Sequence, residues 1–150
     1  MNIEVQVKIP NLSAISDQIQ DCEPLMSKIG QIRRVSFYNM IATGKAPKGD
    51  AVAPLSAKYA DYKRKKVGKK EIRVFRGDTI GSYNNVASGD TLTETVSSKA
   101  AIYLQKGTSK MPKRALLPES WNDMSPKDQK AIEKASTDFV DDIVQNLVSS

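Results

Sequence analysis

Apolar and polar residues alternate at the start of the chain, where Ile3, Val5, Val7 and Ile9 are separated by Glu4, Gln6 and Lys8. A period of two sends successive side chains to opposite faces, so this stretch predicts a half-buried β-strand that Pro10 ends. The spacing then widens. Leu12, Ile15 and Ile19 recur at helical intervals behind Asn11 and Ser13, either of which can cap a short helix that Glu23-Pro24 interrupts. Pro24 suits the first turn of a second helix, where its missing N–H has no intrahelical partner to lose. Leu25, Ile29, Ile32, Ser36 and Met40 mark one side of that helix, which runs to about Thr43 with Gly44 as its stop. Phe37, Tyr38 and Ile41 fall off this stripe and predict a second buried face or a subunit contact.

Lys45 to Pro54 reads as loop from its Gly and Pro content. Ile72-Arg73-Val74-Phe75 predicts a short strand. Val86 to Val96 predicts a hairpin, with Gly89-Asp90 as the turn and Leu92, Glu94 and Val96 alternating with Thr91, Thr93 and Thr95. The apolar run from Ala100 to Leu104 predicts a third strand, or one helical turn, stopped at Lys106-Gly107. Neighbouring strands in sequence usually pair, which gives an antiparallel meander. Thr108-Ser109-Lys110 is a polar turn, Pro112 keeps Met111 extended, and Arg114 to Leu117 returns to the core. Ser125, Pro126 and Asp128 start a last helix whose stripe is Ile132, Ala135, Phe139, Ile143 and Leu147. The whole is an α+β fold, an antiparallel sheet packed against N-terminal helices and a long C-terminal helix. It forms a single domain over residues 1–150, with a flexible basic loop at about 45–71.

Composition narrows the chemistry. A chain of 150 residues buries roughly 70% of its unfolded surface without staples. The apolar fraction of 39% and mean hydropathy of -0.44 suit a chain with much exposed or partner-covered surface. No apolar run reaches membrane-spanning length, and the N-terminal alternation does not form a signal-peptide core, so neither a membrane nor a secretory route is expected. Cys22 is the one cysteine, which excludes an intrachain disulfide and fits synthesis in a reducing cytosol. Histidine is absent, and with it the commonest general base and metal ligand. No nucleophile stands beside a base. A non-catalytic chain without cofactor or metal is expected.

The net charge is +6, and its placement matters more than its size. Lys58, Lys63, Arg64, Lys65, Lys66, Lys69, Lys70, Arg73 and Arg76 crowd one stretch against only Asp61 and Glu71. Such a run can contact phosphates by releasing counterions, stay solvated, or dock on the acidic residues of a neighbour. No zinc ligands, helix-turn-helix signature or aromatic RNA-binding motif supports base readout. Asp138, Asp141 and Asp142 sit late in the last helix, where each opposes the macrodipole by up to about 1 kcal/mol. Pairing of this acidic face with the Lys63–Lys70 run of an adjacent subunit would relieve both.

One ordered set of short motifs remains. Tyr103, Gln105, Gly107 and Thr108 lead into Met111-Pro112, Arg114 and Leu116-Leu117; upstream lie Pro54-Leu55-Ser56 and then Gly77, Ile80 and Ser82 at Gly-x-x-Ile-x-Ser spacing. This order resembles the tailed-phage virion-morphogenesis family of the Mu type, whose members are tail-completion or neck proteins. The chain departs from the family pattern at Ala53, Ala57, Arg76, Ala115 and Leu116, which stand for tryptophan, proline, threonine, proline and phenylalanine.

The resemblance implies an α+β fold and a structural role in a hexameric ring at the head–tail joint or the proximal end of the tail. Its partners would be other copies of itself and neighbouring neck, connector or tail-tube proteins. It would be made in the cytoplasm of a bacterial host and reside in the virion. DNA would pass through such a ring without being specifically bound. Six to ten phosphate contacts change affinity by roughly three to five decades between low and moderate salt, too firm a grip for a bore through which a genome slides. The basic run therefore faces protein or solvent. Candidate partner contacts are Phe37, Tyr38, Tyr103, Gly107, Met111 and Leu116, with Arg114 as a hydrogen-bonding anchor. The candidate charged contacts are Lys63, Arg64, Lys65, Lys66, Lys69 and Lys70 against Asp138, Asp141 and Asp142. The alternative is a basic nucleic-acid-binding module.

Overall fold

Gly89, at φ +58, turns the chain between two strands, β2 (Tyr83–Ser88) and β3 (Thr91–Val96), where the hairpin is expected. On the other side of β3 lies β1 (Ile3–Val7), with Ile3 opposite Val96 and Val7 opposite Leu92. All pairs are antiparallel and the order is β1-β3-β2. The computed structural model describes residues 2–7, 21–74 and 76–148. Within them lie five α-helices: α1 (Glu23–Ala42), α2 (Ala57–Val67), α3 (Asp78–Gly81), α4 (Ala101–Lys106) and α5 (Pro126–Val148). The architecture is thus the expected α+β one. Ile9, the helix expected after Asn11, and Phe75 lie outside the described residues.

Three stretches are decided by the structure. The third strand is β1, and the Ala100–Leu104 run takes the helical of its two readings, as α4. Its buried positions, Ala101 and Gln105, are four apart, a helical interval that a five-residue apolar run does not display. Ile72 and Arg73 form a turn instead of a strand, closed by Val74 N–H donating to the Glu71 carbonyl at 3.0 Å. Part of the expected loop at 45–71 is also helical. Ser56 caps α2 by accepting from Tyr59 N–H, and Asp61 pairs with Arg64 and Lys65 one turn on.

One face of the sheet is dry. Ile3, Val7, Tyr83, Leu92, Glu94 and Val96 point to it and are buried, while Glu4, Gln6, Asn84 and Val86 on the other face are exposed. A single covered face is what strict alternation demands. α1 lies across it, close enough that Asn85 donates to the Gly30 carbonyl at 2.7 Å. The buried side of α1 is Leu25, Met26, Ile29, Gly30, Arg33, Phe37 and Ile41. This is the expected stripe rotated, so that Ile32, Ser36 and Met40 are only half-buried. Phe37 is fully buried and stacks on Tyr83 with ring centroids 4.1 Å apart, and Ile41 is buried beside it. Both are core and not subunit contacts.

The core has two apolar halves. Leu25, Ile29, Leu92, Met124 and Ile132 build one. Phe37, Ile41, Val96, Leu116 and Leu117 build the other. Each such side chain contributes about 1.5–3 kcal/mol on burial. Between the halves α1 places Arg33 and β3 places Glu94, and α5 reaches in with Asp128. Ser125 accepts from Asp128 N–H at 3.2 Å, so the residue that caps α5 also sets this carboxylate in place.

Candidate functional site

A groove of about 1490 Å³ opens between α2, α3, α4 and the turn at Thr108–Met111. Its walls come from segments far apart in the chain, and three buried cations fix part of them. Lys63 turns inward from α2 and donates to the Glu71 and Ile72 carbonyls, which ties the helix to the following turn. Arg73 donates to the carbonyls of Ala115 at 2.6 Å, Met40 at 3.0 Å, and Lys45. Arg114 donates to the carbonyls of Ala53 and Pro54, both at 2.7 Å, and so places the Pro54-Leu55-Ser56 stretch.

The far wall is set by Gln105. Buried in α4, it accepts from the N–H groups of Leu116 and Leu117 and donates to the Leu117 carbonyl. Gly107 ends α4 at φ +74, and a Cβ there would stand 2.8 Å from the Lys113 nitrogen. Only glycine makes this turn without displacing backbone. Thr108 N–H then donates to the Met111 carbonyl at 2.8 Å, which closes the small loop that carries Met111 to the groove. At the other end, Thr79 and Ser98 join their hydroxyls at 2.9 Å, and Ser82 accepts from Ser97 N–H.

Chemically the groove is apolar inside and cationic overall. Leu55, Tyr59, Ile80, Tyr103, Leu104 and Met111 supply apolar surface, and Tyr59 and Tyr103 are 45% and 50% exposed. Six cationic side chains line it against the single carboxylate of Asp78. Lys63, Arg73 and Arg114 bond only to carbonyl oxygens and make no ion pair among the described residues. Burial lowers the Lys63 pKa below its ordinary value and takes the Arg73 guanidinium down to about 10, so Arg73 is charged at neutral pH. Low-dielectric walls focus that positive field into the opening.

Known proteins offer no guide to this groove. No family model, curated protein or solved structure matches the chain. The site must be read from its own residues. Among the described residues, no group of three or more His, Cys, Asp or Glu side chains is arranged to hold a metal ion. Burial raises the pKa of the Cys22 thiol, the nearby Asp90 and Asp21 charges add to this, and the side chain is in the core. No helix among the described residues is long and apolar enough to cross a membrane.

The candidate contact residues separate cleanly. Tyr103 and Met111 are on the groove, and Tyr38 is 41% exposed on α1 away from it. Leu116 is fully buried in the core, and Arg114 is 5% exposed with its bonds made inside the fold, so neither is a free partner contact. Gly107 serves the backbone turn. Lys63 is 4% exposed and does not belong to the charged surface, because α2 directs it inward. Arg64 and Lys65 are exposed and share Asp61, and Lys66, Lys69 and Lys70 are exposed. Asp138 pairs with Lys134 at 2.7 Å, while Asp141 and Asp142 are exposed near the end of α5. Sequence reasoning missed Leu55, Tyr59 and Ile80 as groove surface. It also missed Arg73 as a strut, although a cation inside an apolar tetrapeptide is itself a signal of inward pairing.

Proposed function

We propose that this chain is a structural protein of a tailed-phage virion, a neck or tail-completion component that forms a ring between head and tail. One observation carries the reading. The three segments on which the family resemblance rests, Pro54–Ser56, Gly77–Ser82 and Tyr103–Leu117, are separated in sequence and each sends residues to one groove, with Gln105, Gly107, Leu116 and Leu117 outside its lining. Residues with no catalytic grouping that converge on an open, apolar, cation-rimmed concavity form a docking surface. Head-to-tail contacts of this heterologous kind close into rings. The hexameric state, the virion as final location and the neck, connector or tail-tube neighbours belong to the same proposal.

The test is assembly. The purified chain, alone and mixed with tail tubes or heads of the phage that encodes it, is weighed by light scattering and imaged by negative stain. Rings that attach to heads or tails are expected, and particles lacking the chain should accumulate unjoined heads and tails. Firmly joined particles without it would overturn the proposal. The rival, a basic nucleic-acid-binding module, predicts steep salt-dependent DNA binding by the isolated monomer.

A further inference from the structure

The distal part of α5 has the complementary chemistry. Among the described residues, Phe139 is the last of α5 in the apolar core clusters. Beyond it Val140 and Ile143 are half-buried and Val144 is 51% exposed. These three lie at i, i+3 and i+4, on one stripe of the helix. Asp141 and Asp142 flank the stripe, both exposed and neither in an ion pair among the described residues. The last turn of α5 holds no basic residue either. The distal helix is thus apolar along one side and acidic beside it.

The groove has the opposite character, an apolar interior with a positive field and one carboxylate. None of its lining residues belongs to α5, so the fold does not fill the groove with its own helix. We propose that the groove of one copy receives the distal end of α5 from a second copy, with Val140, Ile143 and Val144 against the Tyr59, Tyr103 and Met111 surface. Asp141 and Asp142 then face the rim lysines Lys99 and Lys110, both exposed. This is recognition of an amphipathic helix in a groove by i, i+3 and i+4 anchors. It rests on the assembly reading above and replaces the expected acceptor of the acidic face, the Lys63–Lys70 run, with the groove. In a ring the groove and the helix end, as different surfaces of one molecule, meet heterologously and the contact propagates from copy to copy, whereas reciprocal insertion between two copies would close a dimer.

Carbodiimide coupling of an equal mixture of ¹⁴N- and ¹⁵N-labelled full chains tests this without mutation. Amide links between Asp141 or Asp142 and Lys99 or Lys110 are expected in peptides of mixed isotope. Links within one isotope only, links from these carboxylates to Lys65, Lys66, Lys69 or Lys70 instead, or a wild-type chain that stays monomeric would overturn the proposal. The exposed positions also permit charge swaps, with melting temperature as the check on folding. D141K/D142K and K99D/K110D should each weaken self-association by about tenfold or more in low salt, and mixing the two should restore it. Absence of restoration overturns the docking. Rings of D141K/D142K that keep the wild-type mass and still join heads to tails would sink the docking alone. Rings with the expected cross-link that attach to neither heads nor tails would sink the neck reading alone.

Discussion

Arg33 and Glu94 meet at 3.2 Å with side chains 2% and 0% exposed, tying the middle of α1 to the middle of β3. The Arg33 Nη1 reaches Asp128 at 2.8 Å, and Tyr83 donates its hydroxyl to Glu94 at 2.8 Å. Desolvation alone would lower the Arg33 pKa, but Glu94 and Asp128 outweigh it and hold the guanidinium above its ordinary value. The charge cluster is the seam between the two apolar halves of the core. It fixes how α1 and α5 sit on the sheet, and hence the register of everything the sheet supports.

Removing one member strands the others. Arg33→Ala is expected to cost about 3–5 kcal/mol, because two carboxylates lose their buried partner. Joint replacement of Arg33, Glu94 and Asp128 by Met, Leu and Leu should recover much of that loss. Urea unfolding midpoints of the single and triple variants decide the matter, and an unchanged midpoint for Arg33→Ala contradicts it.

Gly107 and Gly77 both have positive φ, yet they should respond differently to alanine. At Gly77, with φ +91, a Cβ meets nothing within 4 Å, so the backbone conformation alone costs roughly 1–2 kcal/mol. At Gly107 the same strain is joined by the close approach to the Lys113 nitrogen and the Met111 carbonyl oxygen. Gly107→Ala is expected to lower the melting temperature clearly more than Gly77→Ala.

Leu116 and Tyr103 were equal candidates from sequence, and alanine substitution should separate them. Leu116→Ala opens a cavity in the core and costs about 2–5 kcal/mol. Tyr103→Ala, at a half-exposed position, should change stability by no more than about 0.5 kcal/mol while weakening assembly. Thermal unfolding and sedimentation, measured on both variants, check the split.

Alkaline titration isolates Tyr83. Burial, the Glu94 charge and the hydrogen bond to Glu94 raise its pKa well above the ordinary 10. A raised pKa means that the folded state holds the proton more tightly, so this contribution is complete below about pH 10. It is lost as pH climbs toward the folded value, because the unfolded chain ionises first. Tyr83 should show phenolate absorbance only as the fold opens, as a late component of the titration. Tyr83→Phe should remove that late component.

The sequence exposed elements with chemical punctuation and hid those set by tertiary partners. Pro24, Ser125-Pro126 and Gly89-Asp90 mark α1, α5 and the hairpin through local backbone chemistry. The facing of α1 was misread because Arg33 and Gly30 occupy its buried side, and a stripe traced through apolar letters skips both. Glu94 carried a visible sign, a carboxylate on the Leu92–Val96 face, but its partners, Arg33 and Tyr83, lie 61 and 11 positions away. The groove was the least legible. Its motif residues are visible in the chain, while their convergence depends on Lys63, Arg73 and Arg114 bonding to distant carbonyls.

Ile3 and Val96 lie side by side in the sheet but are separated by 93 positions in the chain. At about 5–20 residues per second, a ribosome completes β3 on the order of ten seconds after β1. Throughout that interval Ile3, Val5 and Val7 form a strand-prone segment with no native edge to join. Its open hydrogen-bonding groups leave the nascent chain prone to pair with other chains until β3 arrives.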